Sequence, residues 1–154
     1  MTGAGPDGEG DTRPGAAIVT SSAIGTGLFA VSSVAAVFAD GARPVAAGIA
    51  LALFAVGTVA FLWAYAIAIG RSRTDAIGIG GLYFLAGDTA PRRAKVPLLV
   101  SFAAQVALAL ATASARPFTS LAFGILVPVY GLGLAGLWGA RFGRFRPRPQ
   151  PAAR

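Results

Sequence analysis

The chain reads as an all-α polytopic membrane protein, with four transmembrane helices in two antiparallel hairpins and a short interfacial or re-entrant segment between helices 2 and 3. Three observations predict that class. Thirteen Lys/Arg and six Asp/Glu are present in 154 residues, yet none falls inside four long apolar runs. Each run is at least as long as the ~20 residues a helix needs to cross a hydrocarbon core. Charged residues make up 12% of the chain, about half the share typical of a soluble domain.

The first run covers residues 16–39. Small residues near its end, Val37-Phe38-Ala39, resemble a signal-peptidase site. The run is longer than a signal core of about 7 to 15 residues and follows an acidic tail, so it reads as a retained span. Residues 1–15 are rich in Gly, Pro and acid and are expected to form a disordered cytoplasmic tail. Asp40-Gly41-Ala42-Arg43-Pro44 separates the first span from the second, residues 45–70, and Arg116-Pro117 separates the third, 96–115, from the fourth, 118–140. Proline restricts the residue before it and suits a helix's first turn, so both breaks read as tight hairpin turns. Residues 71–95 form a longer polar connection, and 141–154 a basic tail. Residues 16–140 thus form one transmembrane domain.

Orientation follows from the cations. Eleven of the thirteen lie in the N-terminal tail, the central segment and the C-terminal tail; only Arg43 and Arg116 lie on the other side. The positive-inside rule places both termini and the central segment in the cytoplasm; the expected location is a bacterial plasma membrane. The +7 balance is read as a topology signal and an attraction to anionic lipid headgroups, not to nucleic acid. Arg141, Arg144, Arg146 and Arg148 are the expected lipid contacts; after Arg146, alternating prolines preclude a regular helix.

Composition limits the chemistry. There are no cysteines and no histidines, which removes disulfides, thiolate metal sites and the commonest metal ligand and general base. No metal or other cofactor is expected. Gly131-Leu-Gly133-Leu-Ala-Gly136 matches a dinucleotide fingerprint in letters only, since that motif needs a preceding strand and an aqueous helix start.

Within lipid, helices are held by close packing at small residues and by occasional hydrogen bonds. Stripes at spacing four are expected to be the seams: Ala103, Ala107, Ala111 and Ala115 in span three; Ala60, Ala64 and Ala68 in span two; Gly131, Ala135 and Gly139 in span four, beside Gly133 and Gly136. In span one, Ser21 pairs with Gly25 and Ser22 with Thr26. Gln105, Thr112 and Tyr130 are the candidate polar lining or interhelical bonds. Gln105 is the costliest to leave facing lipid, because its amide has two donors and an acceptor. Pro128 is expected to kink the fourth helix and free the Gly124 carbonyl. Trp63 and Trp138 are placed as interfacial anchors.

In the central segment, twelve uncharged residues, 76–87, lie between Asp75 and Asp88. As a helix they would cover only about 18 Å, too short to span. Asp75 is expected to cap a short helix running through Leu85 and ending at Gly87. Asp88 or Thr89 would cap the next, with Pro91 in its first turn. The candidate docking elements here are Asp75, Gly80, Gly81, Tyr83 and Asp88.

Leu110-Ala-Thr112-Ala-Ser-Ala-Arg116-Pro-Phe118-Thr, Leu121-Ala-Phe-Gly124, Gly131-Leu-Gly133 and Gly136-Leu-Trp138-Gly-Ala-Arg141 resemble an uncharacterised family of small four-span integral membrane proteins from GC-rich Gram-positive bacteria. Arg73-Thr-Asp75 and Gly81-Leu-Tyr-Phe-Leu-Ala-Gly87 are similar to the same group. The resemblance covers about the C-terminal half, implies the four-span class and carries over no catalytic residue. The expectation is a non-enzymatic accessory or scaffolding subunit that packs against other membrane proteins or itself. The alternative is a small transporter or channel for an uncharged or anionic solute; no intramembrane carboxylate is present to couple a cation.

Overall fold

The structure, a computed structural model, describes residues 14–115 and 117–148. The expected disorder of residues 1–13, the placement of Arg116 in a turn and the tail beyond Arg148 lie outside those residues. The described chain is mostly helical, with one two-residue strand pair. Its elements are α1 (Ala16–Phe38), α2 (Arg43–Arg71), β1 (Asp75–Ala76), α3 (Ile79–Tyr83), α4 (Arg92–Ala115), α5 (Pro128–Phe142) and β2 (Arg146–Pro147). Four helical stretches are long and apolar enough to cross a membrane: Ala16–Phe38, Asp40–Arg71, Arg92–Ala115 and Ser120–Phe142.

Helix ends fall where the backbone dictates, a few residues from the charge boundaries. The first connection is a 3-10 turn, Asp40–Ala42, with Arg43 paired to Asp40 and Pro44 in the first turn of α2. The charged run Arg92-Arg93-Ala94-Lys95 belongs to the first turn of α4, not to a linker. Charge marks the edge of the hydrocarbon, and helices run past it.

Pro128 does not kink a continuous helix. Residues Ser120–Leu126 are 3-10 helix, and α5 starts anew at Pro128, a position where the missing N–H costs nothing. The Gly124 carbonyl is not freed: it accepts from the Val127 N–H at 3.1 Å.

The fourth span is the centre of the bundle. Half of its most apolar window is buried, 50%, against 22 to 28% in the other three. Its most extensive partner is α2, while α1 lies mainly against α4. At the α2–α5 crossing, a Cβ on Gly57 would strike the Tyr130 backbone, and one on Gly133 would strike the Gly57 carbonyl. Backbones approach this closely only where side chains are absent. The rest of the core is layered. Phe29, Ala50, Ala109 and Val127 form a central layer. Ala36, Ala46 and Leu121 fill the end beside the Asp40 turn. Leu85, Ala90, Ala94, Leu98, Ala135 and Trp138 fill the opposite end. There the starts of α1 and α4 meet the ends of α2 and α5: Gly15 lies against Trp138, and Arg71 reaches Ala140.

Two of the expected seams are corrected. Ala60, Ala64 and Ala68 are buried, as are Gly131, Gly133, Ala135, Gly136 and Gly139. On α4 the buried face is Leu98, Ser101, Gln105, Ala109 and Thr112, while Ala103, Ala107, Ala111 and Ala115 face outward. Both faces of α4 carry small residues, and the hydrogen-bonding residues decide which turns in. On α1, Ser22, Gly25, Phe29 and Ser33 are buried, while Ser21 is exposed. Trp138, expected as an interfacial anchor, is a core residue at 3% exposure; Trp63 does face outward, 57% exposed.

Candidate functional site

Gln105 lies at the centre of the bundle with no exposure. Its Nε2 donates to Thr26 Oγ1 at 2.7 Å, and its Oε1 accepts from the Gly131 N–H at 3.1 Å. The second bond has a local cause. The first N–H groups of a helix lack intrahelical acceptors, and Gly131 sits in the first turn of α5. One amide therefore caps α5 and joins α4 to α1. Glycine at 131 lets the amide approach: a Cβ there would meet Gln105 Oε1 at 2.6 Å and the Phe102 backbone at 3.2 Å, and would push the amide aside.

Thr112 shares the buried face of Gln105 but bonds only its own helix, at Leu108 O, 2.8 Å. Tyr130 sends its hydroxyl to Ser21 O on α1 at 2.7 Å, and its ring fills the space left by Gly25. Gln105 and Tyr130 thus staple α1 to the rest. The three candidate lining residues are used in internal hydrogen bonds.

The central segment folds onto the bundle end. Asp75 caps no helix; Gly78 takes that place for α3, which runs only to Tyr83. Arg71, at the end of α2, holds Asp75 Oδ2 through Nε and Nη2 at 3.2 and 3.0 Å. The same guanidinium donates to Ala140 O at 2.8 Å and Gly143 O at 3.2 Å, and lies over the Phe145 ring. A cation on the last carbonyls of α5 is favoured by their partial negative charge. Sequence reasoning missed this role, since nothing in the spacing links Arg71 to a helix end 69 residues away.

Tyr83 and Leu82 enter between α2 and α5. The Tyr83 ring stacks on Phe61, its hydroxyl donates to Phe61 O at 3.2 Å, and Gly136 leaves room for the ring. Phe61 is ten residues before Arg71, about 15 Å along the helix. Burial, and secondarily Tyr65, pushes the Tyr83 phenol above its ordinary pKa. Gly81 packs against Phe145 and Thr89, whereas Gly80 meets little. Leu85 and Gly87, both at positive φ, turn the chain back towards α4. Thr89 is buried and donates to Ala86 O, so it does not cap α4.

The basic tail is pinned to this segment. β2 pairs antiparallel with β1, Asp75 opposite Pro147 and Ala76 opposite Arg146. The Arg144 N–H donates to Thr89 O and the Arg148 N–H to Thr74 O. The side chains of Arg141, Arg144, Arg146 and Arg148 remain exposed, on a fixed backbone.

Beside the tail lies a cleft of about 710 Å³ between the first turns of α1 and α4 and the end of α5. Thr20, Asp88, Arg92, Arg93, Trp138 and Arg144 are among its polar walls. The three arginines form no ion pair among the described residues. Trp138 Nε1 is buried, without a hydrogen-bond partner, next to Gly15. Of the cleft's residues, Asp88, Thr89, Pro91, Trp138 and Arg144 carry expectations from the sequence, none of them for this cleft. Among the described residues, no group of three or more His, Cys, Asp or Glu is placed to hold a metal ion.

Fold and site together define a multi-pass α-helical membrane protein, packed through glycine contacts and stapled by a buried amide. Comparison with protein-family models, curated proteins and solved structures found no match to the chain.

Proposed function

We propose that this protein is a non-enzymatic accessory or scaffolding subunit of a bacterial plasma membrane that packs against the spans of another membrane protein. The outward position of Ala103, Ala107, Ala111 and Ala115 carries the reading. A strip of methyl groups along α4 offers little to lipid but admits a second helix closely. The bonding of the candidate lining residues supports it as well. Gln105, Thr112 and Tyr130 are occupied by internal bonds, which counts against a polar path for a solute.

In this reading the spans cross as two antiparallel hairpins, α1 with α2 and α4 with the fourth span, with both termini cytoplasmic. The shared position of Gly15, Arg71 and Phe142 at one end supports that arrangement, and the cation bias supports its direction. Residues 77–87 are then a re-entrant plug at the cytoplasmic end, inserted as far as Phe61.

The test is gentle detergent extraction of a tagged chain from its native membrane, followed by mass spectrometry. A stoichiometric complex with another membrane protein is expected. Recovery only as a lone monomer, with Ala107→Phe leaving its behaviour in the membrane unchanged, would overturn the reading.

A further inference from the structure

We propose that the cleft between α1, α4 and the end of α5 is a specific site for the phosphate headgroup of one anionic phospholipid. It is distinct from the diffuse attraction of the basic tail to a charged surface. Four observations converge on it. The first is charge: Arg92, Arg93 and Arg144 border the cleft against one carboxylate, Asp88, leaving two net positive charges in one concavity. None of the three guanidiniums is neutralised by an acid of the protein among the described residues.

The second is the start of α4. Ala94 and Lys95 N–H groups bond to Pro91 O, while those of Arg92 and Arg93 find no backbone acceptor among the described residues. Unpaired N–H groups at the positive end of a 24-residue helix favour a phosphate oxygen. The third observation is independent of both. Trp138, 3% exposed, lines the cleft and carries a buried Nε1 with no partner. A buried indole donor normally has an acceptor, and an ester or phosphate oxygen of a lipid supplies one. The fourth is position. α1 and α4, which border the cleft, present Ile24, Leu28, Val96 and Val100 outward, an apolar flank along which acyl chains would lie. Basic pockets between spans at the cytoplasmic side are a recurrent way to hold anionic headgroups.

The full chain is purified in a neutral detergent and titrated with short-chain phosphatidylglycerol, phosphatidylcholine and inorganic phosphate. Binding is read by native mass spectrometry and by the Trp138 indole N–H resonance in a Trp63→Phe background. One phosphatidylglycerol per chain is expected, with a shifted indole signal and much weaker retention of phosphatidylcholine. Replacing Arg92, Arg93 and Arg144 together by Gln should weaken binding roughly 100-fold. Replacing Arg141, Arg146 and Arg148, outside the cleft, should change it about threefold or less. Asp88→Asn should tighten binding, and Trp138→Phe should weaken it while keeping the ring in the core.

Equal losses from the two arginine triples would overturn the proposal in favour of diffuse attraction. Equal binding of the two lipids would overturn it too. Inorganic phosphate binding as tightly as the lipid would assign the cleft to a soluble anion instead. An indole resonance that stays in place while phosphatidylglycerol binds would move the lipid elsewhere.

Discussion

Gln105→Leu isolates what the buried amide does. Leucine is close in size, so packing changes little and two hydrogen bonds are lost. The Thr26 hydroxyl loses the Gln105 donor but still gives its own proton to Ser22 O at 2.8 Å, so its cost is small. The Gly131 N–H is different. It is buried in the first turn of α5 and has Gln105 Oε1 as its acceptor. A buried donor left unpaired costs about 1–3 kcal/mol, and interhelical bonds in membranes average nearer ~0.6 kcal/mol. The variant should therefore fold and be less stable by about 1–3 kcal/mol. Thr26→Val, which removes the acceptor for Nε2 and the hydroxyl's own bond to Ser22 O, should cost about 1 kcal/mol or less. Reversible unfolding in mixed micelles measures both, and the double variant gives the coupling. A Gln105→Leu protein within about 0.5 kcal/mol of the parent would show that the amide does not cap α5. Complete failure to fold would mean that it supports more than these two groups.

Three further outcomes are expected. Gly133→Ala and Gly57→Ala should each destabilise the α2–α5 crossing by about 1–3 kcal/mol or more, because the added methyl meets backbone. Gly27→Ala and Gly48→Ala, where nothing lies within 4 Å, should be neutral or stabilising by up to about 1 kcal/mol; destabilisation at the latter pair would refute the packing assignment. Arg71→Met should release the tail, seen as faster hydrogen exchange at Arg144 and Arg148. Arg71→Lys should rescue only partly, since an ammonium cannot reproduce the fork to Asp75. The Tyr83 phenol should ionise at higher pH than a model tyrosine, since burial disfavours the phenolate. The neutral form is thus favoured by folding, and stability should fall as pH rises past about 10. Ultraviolet titration of Tyr83→Phe beside the parent checks this, and an ordinary pKa for Tyr83 would contradict its insertion.

The spans were legible because exclusion of charge from hydrocarbon is a one-dimensional signal. Which side of a span faces inward was much less so. In a soluble helix, polarity marks the outside, but in lipid both faces are apolar. On α4, Ala103, Ala107 and Ala111 form as regular a stripe as Ser101, Gln105 and Thr112, yet only the second is buried. The hydrogen-bonding demand of Gln105 was the better guide. Small residues worked as a guide in α5, where glycines mark backbone contact. The Arg71 clamp and the β1–β2 pair were illegible, because both join segments about 70 residues apart through main-chain carbonyls that any sequence provides. Pro128 was read through its usual effect inside a helix, whereas a 3-10 segment ahead of it made it a first residue.

The reading as an accessory subunit is tested most directly by a photo-crosslinking residue at Ala107, on the outward stripe, compared with one at Ala109, on the buried face, in the native membrane. The expected result is a discrete adduct with a span of another protein from position 107 and only intramolecular products from 109. Adducts with lipid alone at 107, while the protein keeps its normal abundance, would contradict it.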